Sequence, residues 1–360
     1  MLEPSPRRRC TLVLPDPKLL ALLVHKGLVP IDLAREALAS GAPGSFLVKR
    51  GHCTREQWET WQRTEAGTRP VLRRYELGDV LGEGHVGRVF AATDRTDRSS
   101  VALKVLRPER AADPVETERF VREAKLLMEL RHPHLVHGLR VAKEGDTIFF
   151  AMEQLPGREL LAVLQERGRL DEETALQIVV DVAGALEALH QKGLVHRDVK
   201  PGNILWSEAR GAVLIDLGFA VVGATAGGSD TTAGTVHYIA PEQASGEALD
   251  VRADIYALGA TLYHLVTGSL PFEGRTSEEV LAKQVLESLS GERIRALDLS
   301  PQLHYFLEKM MAKDPQMRFQ DPAHLQREVT AFLQQQRQRR ELEQRQKKPD
   351  LGDWRKRPRR

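Results

Sequence analysis

The 360-residue chain has only two cysteines, Cys10 and Cys53, and contains no uninterrupted 18-residue apolar run. Two thiols cannot staple a disulfide scaffold or build a four-ligand zinc cluster, and so little cysteine suits a reducing cytoplasm. Without a long apolar run the chain is expected to be soluble and not membrane-spanning. Leu19 to Val24 is too short to span, and no secretory pattern with a cleavage site precedes it. One-signed charge is also scarce, since 52 Lys/Arg against 50 Asp/Glu leave a net charge of +2. What the chain does have is 41% hydrophobic residues, enough for a core, and a length beyond one typical domain.

The chemistry is concentrated in His196-Arg197-Asp198-Val199-Lys200-Pro201-Gly202-Asn203, followed by Asp216-Leu217-Gly218. A nucleotide γ-phosphate carries several negative charges, so its transfer depends on positioning and on stabilisation by metal ions and cationic side chains. Asp198 can accept a hydroxyl proton, Lys200 can sit beside the moving phosphoryl group, and Asn203 and Asp216 can give hard oxygen ligands to Mg²⁺. Any one of them could be an ordinary surface residue. Their order and spacing argue against that and predict phosphoryl transfer.

Upstream, Leu81-Gly82-Glu83-Gly84-His85-Val86-Gly87-Arg88-Val89 is a G-x-G-x-x-G-x-V pattern, in which Gly82, Gly84 and Gly87 let backbone approach phosphates without Cβ clashes. A dinucleotide-binding fold uses similar glycines, but there the last one opens a helix. Here the glycines lead into β-branched, alternating segments, Arg88 to Ala91 and Val101 to Lys104, which read as a hairpin. Lys104 is then positioned for the α- and β-phosphates, provided an acid holds it. Glu116 to Leu130 carries Phe120, Ala124 and Leu127 at helical spacing, with Pro114 near its start and Pro133 closing it. Glu118 and Glu123 on that helix are the candidate partners; Glu123 is preferred, and Glu118 reads as a solvated charge.

With these motifs together, the chain resembles the eukaryotic-like, or Hanks-type, protein Ser/Thr kinases of bacteria over about Tyr75 to Leu333. The resemblance implies an α+β, two-lobed fold: a small antiparallel β lobe with one helix, a large helical lobe, and ATP between them. Phe149 to Gly157 looks like the last small-lobe strand and the hinge, so that Met152 is the gatekeeper and the backbones of Glu153 and Leu155 meet the adenine edge. Leu81, Val89, Ala102 and Leu205 are implied to enclose the nucleotide, apolar residues suited to an apolar cleft; core packing is their other reading. The implied cofactors are ATP and Mg²⁺, with Mn²⁺ possible.

Downstream, Gly234-Thr235-Val236-His237-Tyr238-Ile239-Ala240-Pro241-Glu242 resembles the segment that ends an activation loop and docks the substrate. Thr235 with Lys200 is the usual mark of serine/threonine specificity in that family. Asp254 matches the aspartate that braces the catalytic loop, and Arg318 the arginine that pairs with Glu242, a structural role because buried charges need partners. Arg197 implies regulation by a phosphorylated loop residue, with Ser229, Thr231 and Thr232 as candidate sites, modified by transient self-association. Two positions depart from the family pattern. Leu217 stands where phenylalanine is commonest, still large and apolar; His85 replaces a small loop-tip residue and is either a titrating group or a plain exposed histidine.

The flanks differ in kind. Residues 1–70 contain an echo, Leu23 to Val29 against Leu47 to Cys53 at an offset of 24, which predicts a small helical module. Thr54 and Gln57 form a capping-box pattern ahead of Trp58 and Trp61. A protein partner and a purely structural extension are equally open there. A kinase unit is expected over 75–333 and a basic tail over 335–360, with 11 Lys/Arg against 4 Asp/Glu from Gln335 onward. That tail could extend the last helix as far as Lys347-Lys348-Pro349, and could attract nucleic acid, an anionic surface or acidic proteins; solvated disorder is the alternative. The predicted function is transfer of the γ-phosphate of Mg-ATP to protein Ser/Thr hydroxyls in the cytoplasm. A pseudokinase scaffold and a small-molecule kinase are the competing classes. No catalytic position is lost, and the Gly234 to Glu242 match points to a protein acceptor.

Overall fold

The computed structural model describes residues 16–25, 27–55, 57–58, 61, 70–84, 86–217, 221–222, 236–289 and 299–347. His85, Ser229, Thr231, Thr232 and Thr235 lie outside the described residues. The chain divides into two compact units, one comprising 1–78 with 93–99 and the other 79–92 with 100–360.

In the first unit, α1 (Asp16–His25), α2 (Ile31–Ala39) and α3 (Pro43–Lys49) close around Leu19, Leu20, Leu23, Ala37, Leu47 and Trp58. The echo in the sequence is a repeated turn. Gly27 N–H donates to Val24 O (3.0 Å) and Leu28 N–H to Leu23 O (2.9 Å); Gly51 N–H donates to Val48 O (3.0 Å) and His52 N–H to Leu47 O (3.0 Å). Both glycines have left-handed φ, +66° and +71°, the helix-ending conformation that strains any residue with a Cβ. The turn then buries Val29 in one copy and Cys53 in the other. The capping box forms as well: Thr54 N–H donates to Gln57 Oε1 (2.8 Å), and Gln57 N–H to Thr54 Oγ1 (3.1 Å). Trp58 is buried and Trp61 packs against the same core.

A five-stranded sheet has the order β1-β2-β3-β5-β4, formed by Tyr75–Glu83, Gly87–Asp94, Ser100–Leu106, Gly138–Glu144 and Thr147–Glu153 as β1, β2, β3, β4 and β5 in chain order. β3 pairs antiparallel with β5, setting Lys104 opposite Phe150 and Ala102 opposite Met152. The helix expected from Glu116 begins at Pro114 and runs to Glu129. It starts two residues earlier because Asp113 caps it, its side chain accepting from Val115 N–H at 2.9 Å, with Pro114 at the first helical position.

The remainder of the second unit is mainly helical. Glu172–His190 and Val251–Thr267 are buried on nearly every face, as befits helices at the centre of a domain. Gly259 permits the crossing with Pro301–Met310, since a Cβ there would lie 2.8 Å from Met310. Pro322–Lys347 packs along Glu172–His190 and passes through residues 333–335 unbroken, so the Gln/Arg/Glu stretch does continue the last helix. Residues beyond Lys347 lie outside the described residues. No helix among the described residues is long and apolar enough to cross a membrane.

Candidate active site

β3 presents Lys104 to Glu123 on the Pro114–Glu129 helix, Nζ lying 2.9 and 3.2 Å from the two carboxylate oxygens. Asp216 Oδ2 lies 3.3 Å from the same ammonium. Glu118, the other candidate, is exposed. Burial by itself would lower the Lys104 ammonium, but the Asp216 and Glu123 carboxylates outweigh it and hold the lysine well above its usual range. Burial, and then Asp216, push the Glu123 carboxyl upward against the pull of Lys104. One cation thus serves two acids. The side chains of Lys104 and Glu123 are 12% and 5% exposed and that of Asp216 is 38% exposed, so the surplus negative charge faces the open side.

The loop after the short strand Leu194–Val195 is fixed from below by Asp254, on the buried Val251–Thr267 helix. Its two carboxylate oxygens accept from the backbone N–H groups of His196 and Arg197, each at 2.8 Å. Arg197 is held at φ +70°, a conformation that costs a non-glycine residue on the order of 1–3 kcal/mol and persists only where the surroundings enforce it. Gln243 Nε2 donates to Arg197 O (3.2 Å), tying the Pro241–Ala244 turn to the same loop. Asp198 follows. Its Oδ2 accepts from Lys200 Nζ and from Asn203 Nδ2, both at 2.8 Å, whereas its Oδ1 is buried with no hydrogen-bond partner among the described residues. A buried acceptor left without a donor costs about 1–3 kcal/mol, so this oxygen is suited to accept a hydrogen bond.

Asn203 spends its amide nitrogen on Asp198, whose backbone carbonyl it also reaches at 2.8 Å, which leaves the side-chain oxygen as the atom for a metal. Asn203 O accepts from Ile215 N–H (3.0 Å), so the chain brings Asn203 beside Asp216. No group of three or more His, Cys, Asp or Glu arranged for a metal exists among the described residues. The pair therefore fits a hard cation that completes its shell with phosphate oxygens and water, as Mg²⁺ does, and not a cation needing an all-protein cage. Leu217, next in the triplet, is buried in the main core.

A cleft of about 460 Å³ opens beside Lys104 and Asp216. Leu81, Gly82, Val89, Ala102, Met152, Glu153, Leu155 and Leu205 line it. Gly84 and Gly87 do not. Gly87 instead packs against β3, where a Cβ would lie 2.2 Å from Val105 O, so strand packing forbids a side chain there. Sequence reasoning missed Val136, Glu159, Ala162 and Ile215 in the lining, and Arg210, which holds the hinge residue Glu153 at 3.1 Å. The short strand pair Arg158–Glu159 with Leu205–Trp206 brings Glu159 and Leu205 to one edge, a pairing no local pattern announces. Glu242 and Arg318 form a bidentate pair at 2.6 and 2.8 Å, and neither lines this cleft.

A family profile described as Protein kinase domain matches residues 75–330. Among curated proteins, the chain is 37% identical to Serine/threonine-protein kinase PknB of Mycolicibacterium smegmatis over 260 residues, covering 70% of this chain and 42% of that protein. It is 36% identical to the PknB of Mycobacterium tuberculosis over the same length and shares. The Probable serine/threonine-protein kinase PknB of Corynebacterium glutamicum is 38% identical over 267 residues, 71% of this chain and 41% of that one. The chain thus spans about two-fifths of the length of these relatives.

Proposed function

The chain belongs to the protein kinase domain family, and on that premise we propose that it is a protein Ser/Thr kinase transferring the γ-phosphate of Mg-ATP to protein hydroxyls. Kinases of this family use ATP and a divalent metal; bound here, Mg-ATP would supply the transferable phosphoryl group and the charge that offsets it. The observation that carries the reading is the half-satisfied Asp198. Lys200 and Asn203 fix one of its oxygens and leave the other buried with no partner among the described residues, suited to orienting an acceptor hydroxyl and taking its proton. Lys104, steadied by Glu123, holds the α- and β-phosphates, and Lys200 neutralises charge on the moving group. Asn203 and Asp216 hold the metal through oxygen. Leu81, Val89, Ala102, Met152 and Leu205 enclose the base, with Glu153 and Leu155 offering backbone groups to its edge, and Gly82 and Gly84 keep the loop over the phosphates free of side chains, while Gly87 serves the packing of that loop on β3.

The test is Asp198→Asn. Phosphate transfer should fall to background while ATP affinity, followed by calorimetry, stays within a few-fold of the parent; transfer at the parental rate would defeat the assignment. Adding a strong Mg²⁺ chelator should stop transfer and restoring the ion should revive it. Activation by phosphorylation at Thr231 or Thr232, with Ser229 secondary, through transient pairing of two molecules, follows from Arg197: a phosphate brings about −1.5 to −2 charges to a guanidinium on the catalytic loop. Mass spectrometry with a Thr231→Ala/Thr232→Ala variant checks it, since full activity with an unmodified loop would remove the claim. Residues 1–70 would serve as a regulatory or partner-binding unit, and the basic residues after Gln335 as an attraction for acidic proteins, an anionic surface or, less favoured, nucleic acid. The low cysteine content supports work in the cytoplasm.

A further inference from the structure

Val236 to Ile239 have no regular secondary structure, yet Val236, Tyr238 and Ile239 are buried. Backbone carbonyls in such a segment need partners. Those of Val236 and His237 find one side chain, Gln284 on the Ser277–Leu286 helix: Nε2 donates to Val236 O at 3.3 Å and to His237 O at 2.8 Å. Gln284 is 0% exposed, and its Oε1 accepts from Tyr256 Oη at 2.6 Å. Tyr256 in turn accepts from Lys313 Nζ at 3.1 Å, and the same ammonium donates to the Gln284 backbone carbonyl while lying 4.4 Å from the Phe272 ring centroid.

Every donor in this chain points one way. The ammonium polarises the phenol, the phenol polarises the amide carbonyl, and the amide N–H groups end on the two carbonyls. Aligned hydrogen bonds strengthen one another where water is excluded. Val280 and Leu281, from the same helix as Gln284, add apolar contact with Val236 and Ile239. The segment continues into Gln243, which bonds Arg197 O one residue before Asp198, so it borders the acceptor side of the candidate site.

We propose that Lys313, Tyr256 and Gln284 form a positioning relay that sets the backbone of Val236 and His237 for docking of the protein substrate. The relay rests on the kinase reading for its purpose and on the hydrogen bonds alone for its existence. None of the three residues touches the reacting atoms. They act through the segment, so the effect belongs in the Michaelis constant for the protein and not in that for ATP.

The experiment uses the full chain and two variants. Tyr256→Phe removes the middle hydroxyl with almost no change of shape, and Gln284→Glu keeps the acceptor while removing the donors. Hydrogen exchange read by mass spectrometry should quicken across residues 236–240 in both, with the Glu172–His190 helix unchanged. The KM for a generic protein substrate should rise roughly three- to tenfold in Tyr256→Phe, the worth of one net hydrogen bond, with the KM for ATP within twofold. Parental exchange at 236–240 in a folded Tyr256→Phe would overturn the relay. Faster exchange with an unchanged protein KM would overturn its role in docking. Faster exchange in a protein whose parent transfers no phosphate would support the relay and count against the kinase reading instead.

Discussion

Two buried charge clusters in the second unit use the same chemistry to opposite ends. Arg318 is 0% exposed at its side chain, binds Glu242 through two nitrogens, and spends its remaining donors on Ala312 O, Lys313 O and Arg252 O. That cluster is closed: one cation, one anion, every hydrogen bond made. Lys104, by contrast, faces two carboxylates, one of them exposed to the cleft. Buried pairs seldom add net stability, but a saturated one fixes geometry, and an unbalanced one keeps a standing attraction for a further cation. The closed cluster is architecture. The open one turns a net negative charge toward the cleft.

The largest break in that comparison is Lys104→Met, for which transfer should drop on the order of 10²–10³-fold, the usual worth of one preorganised charge stabiliser. Its cost to stability should be small, about 1–3 kcal/mol, because Glu123 is already pushed upward by burial and can take a proton once its cation is gone. Steady-state kinetics and urea unfolding on one preparation would read both numbers. Arg318→Met should do the reverse, losing about 3–5 kcal/mol in the urea midpoint because Glu242 is left buried and uncompensated. Molecules that remain folded at low temperature should keep their KM for ATP, and a parental midpoint would show that the closed cluster is dispensable.

The smallest effect is one of pH, at Lys313 beside the closed cluster. Burial and then Arg318 push its ammonium down to about 8, against the opposing pull of Glu287 and Glu242, while its Nζ donates a hydrogen bond to Tyr256 Oη. The unfolded chain keeps that proton to near the ordinary 10.5. Between those values the unfolded state binds more protons, so this lysine's contribution to stability rises with pH. The relay it heads weakens over the same interval. Protein-substrate KM should therefore climb above about pH 8 while the urea midpoint of the parent, compared with Lys313→Met, gains ground; midpoints that fall equally in parent and variant would mean ordinary alkaline unfolding.

The legible part of the molecule was the part written in short segments. His196 to Asn203, Asp216, the β2–β3 strands and the Thr54–Gln57 capping box could be read because their chemistry is local in sequence. The Pro114–Glu129 helix starts two residues before its apolar spacing does, because the Asp113 cap and Pro114, and not the apolar face, set its beginning. The relay had no such signature. Lys313, Tyr256, Gln284 and His237 are scattered over four segments, and nothing marks a glutamine as a backbone clamp until tertiary packing removes water from it. Glu159 and Ala162 entered the cleft in the same way, by a two-residue strand pairing beyond the reach of periodicity.

The final helix has a consequence of length. Leu333 is its last deeply buried apolar residue, and Arg337 and Arg340 then grip Glu173 from the outside. From Arg340 the helix continues to Lys347, a rise of about 10 Å at 1.5 Å per residue. Ten ångströms is also about the distance over which 0.1 M salt screens a charge. The end of the helix at Lys347 therefore lies about one screening length beyond the Glu173 anchor, where the acidic charge of the helix it packs on is largely screened.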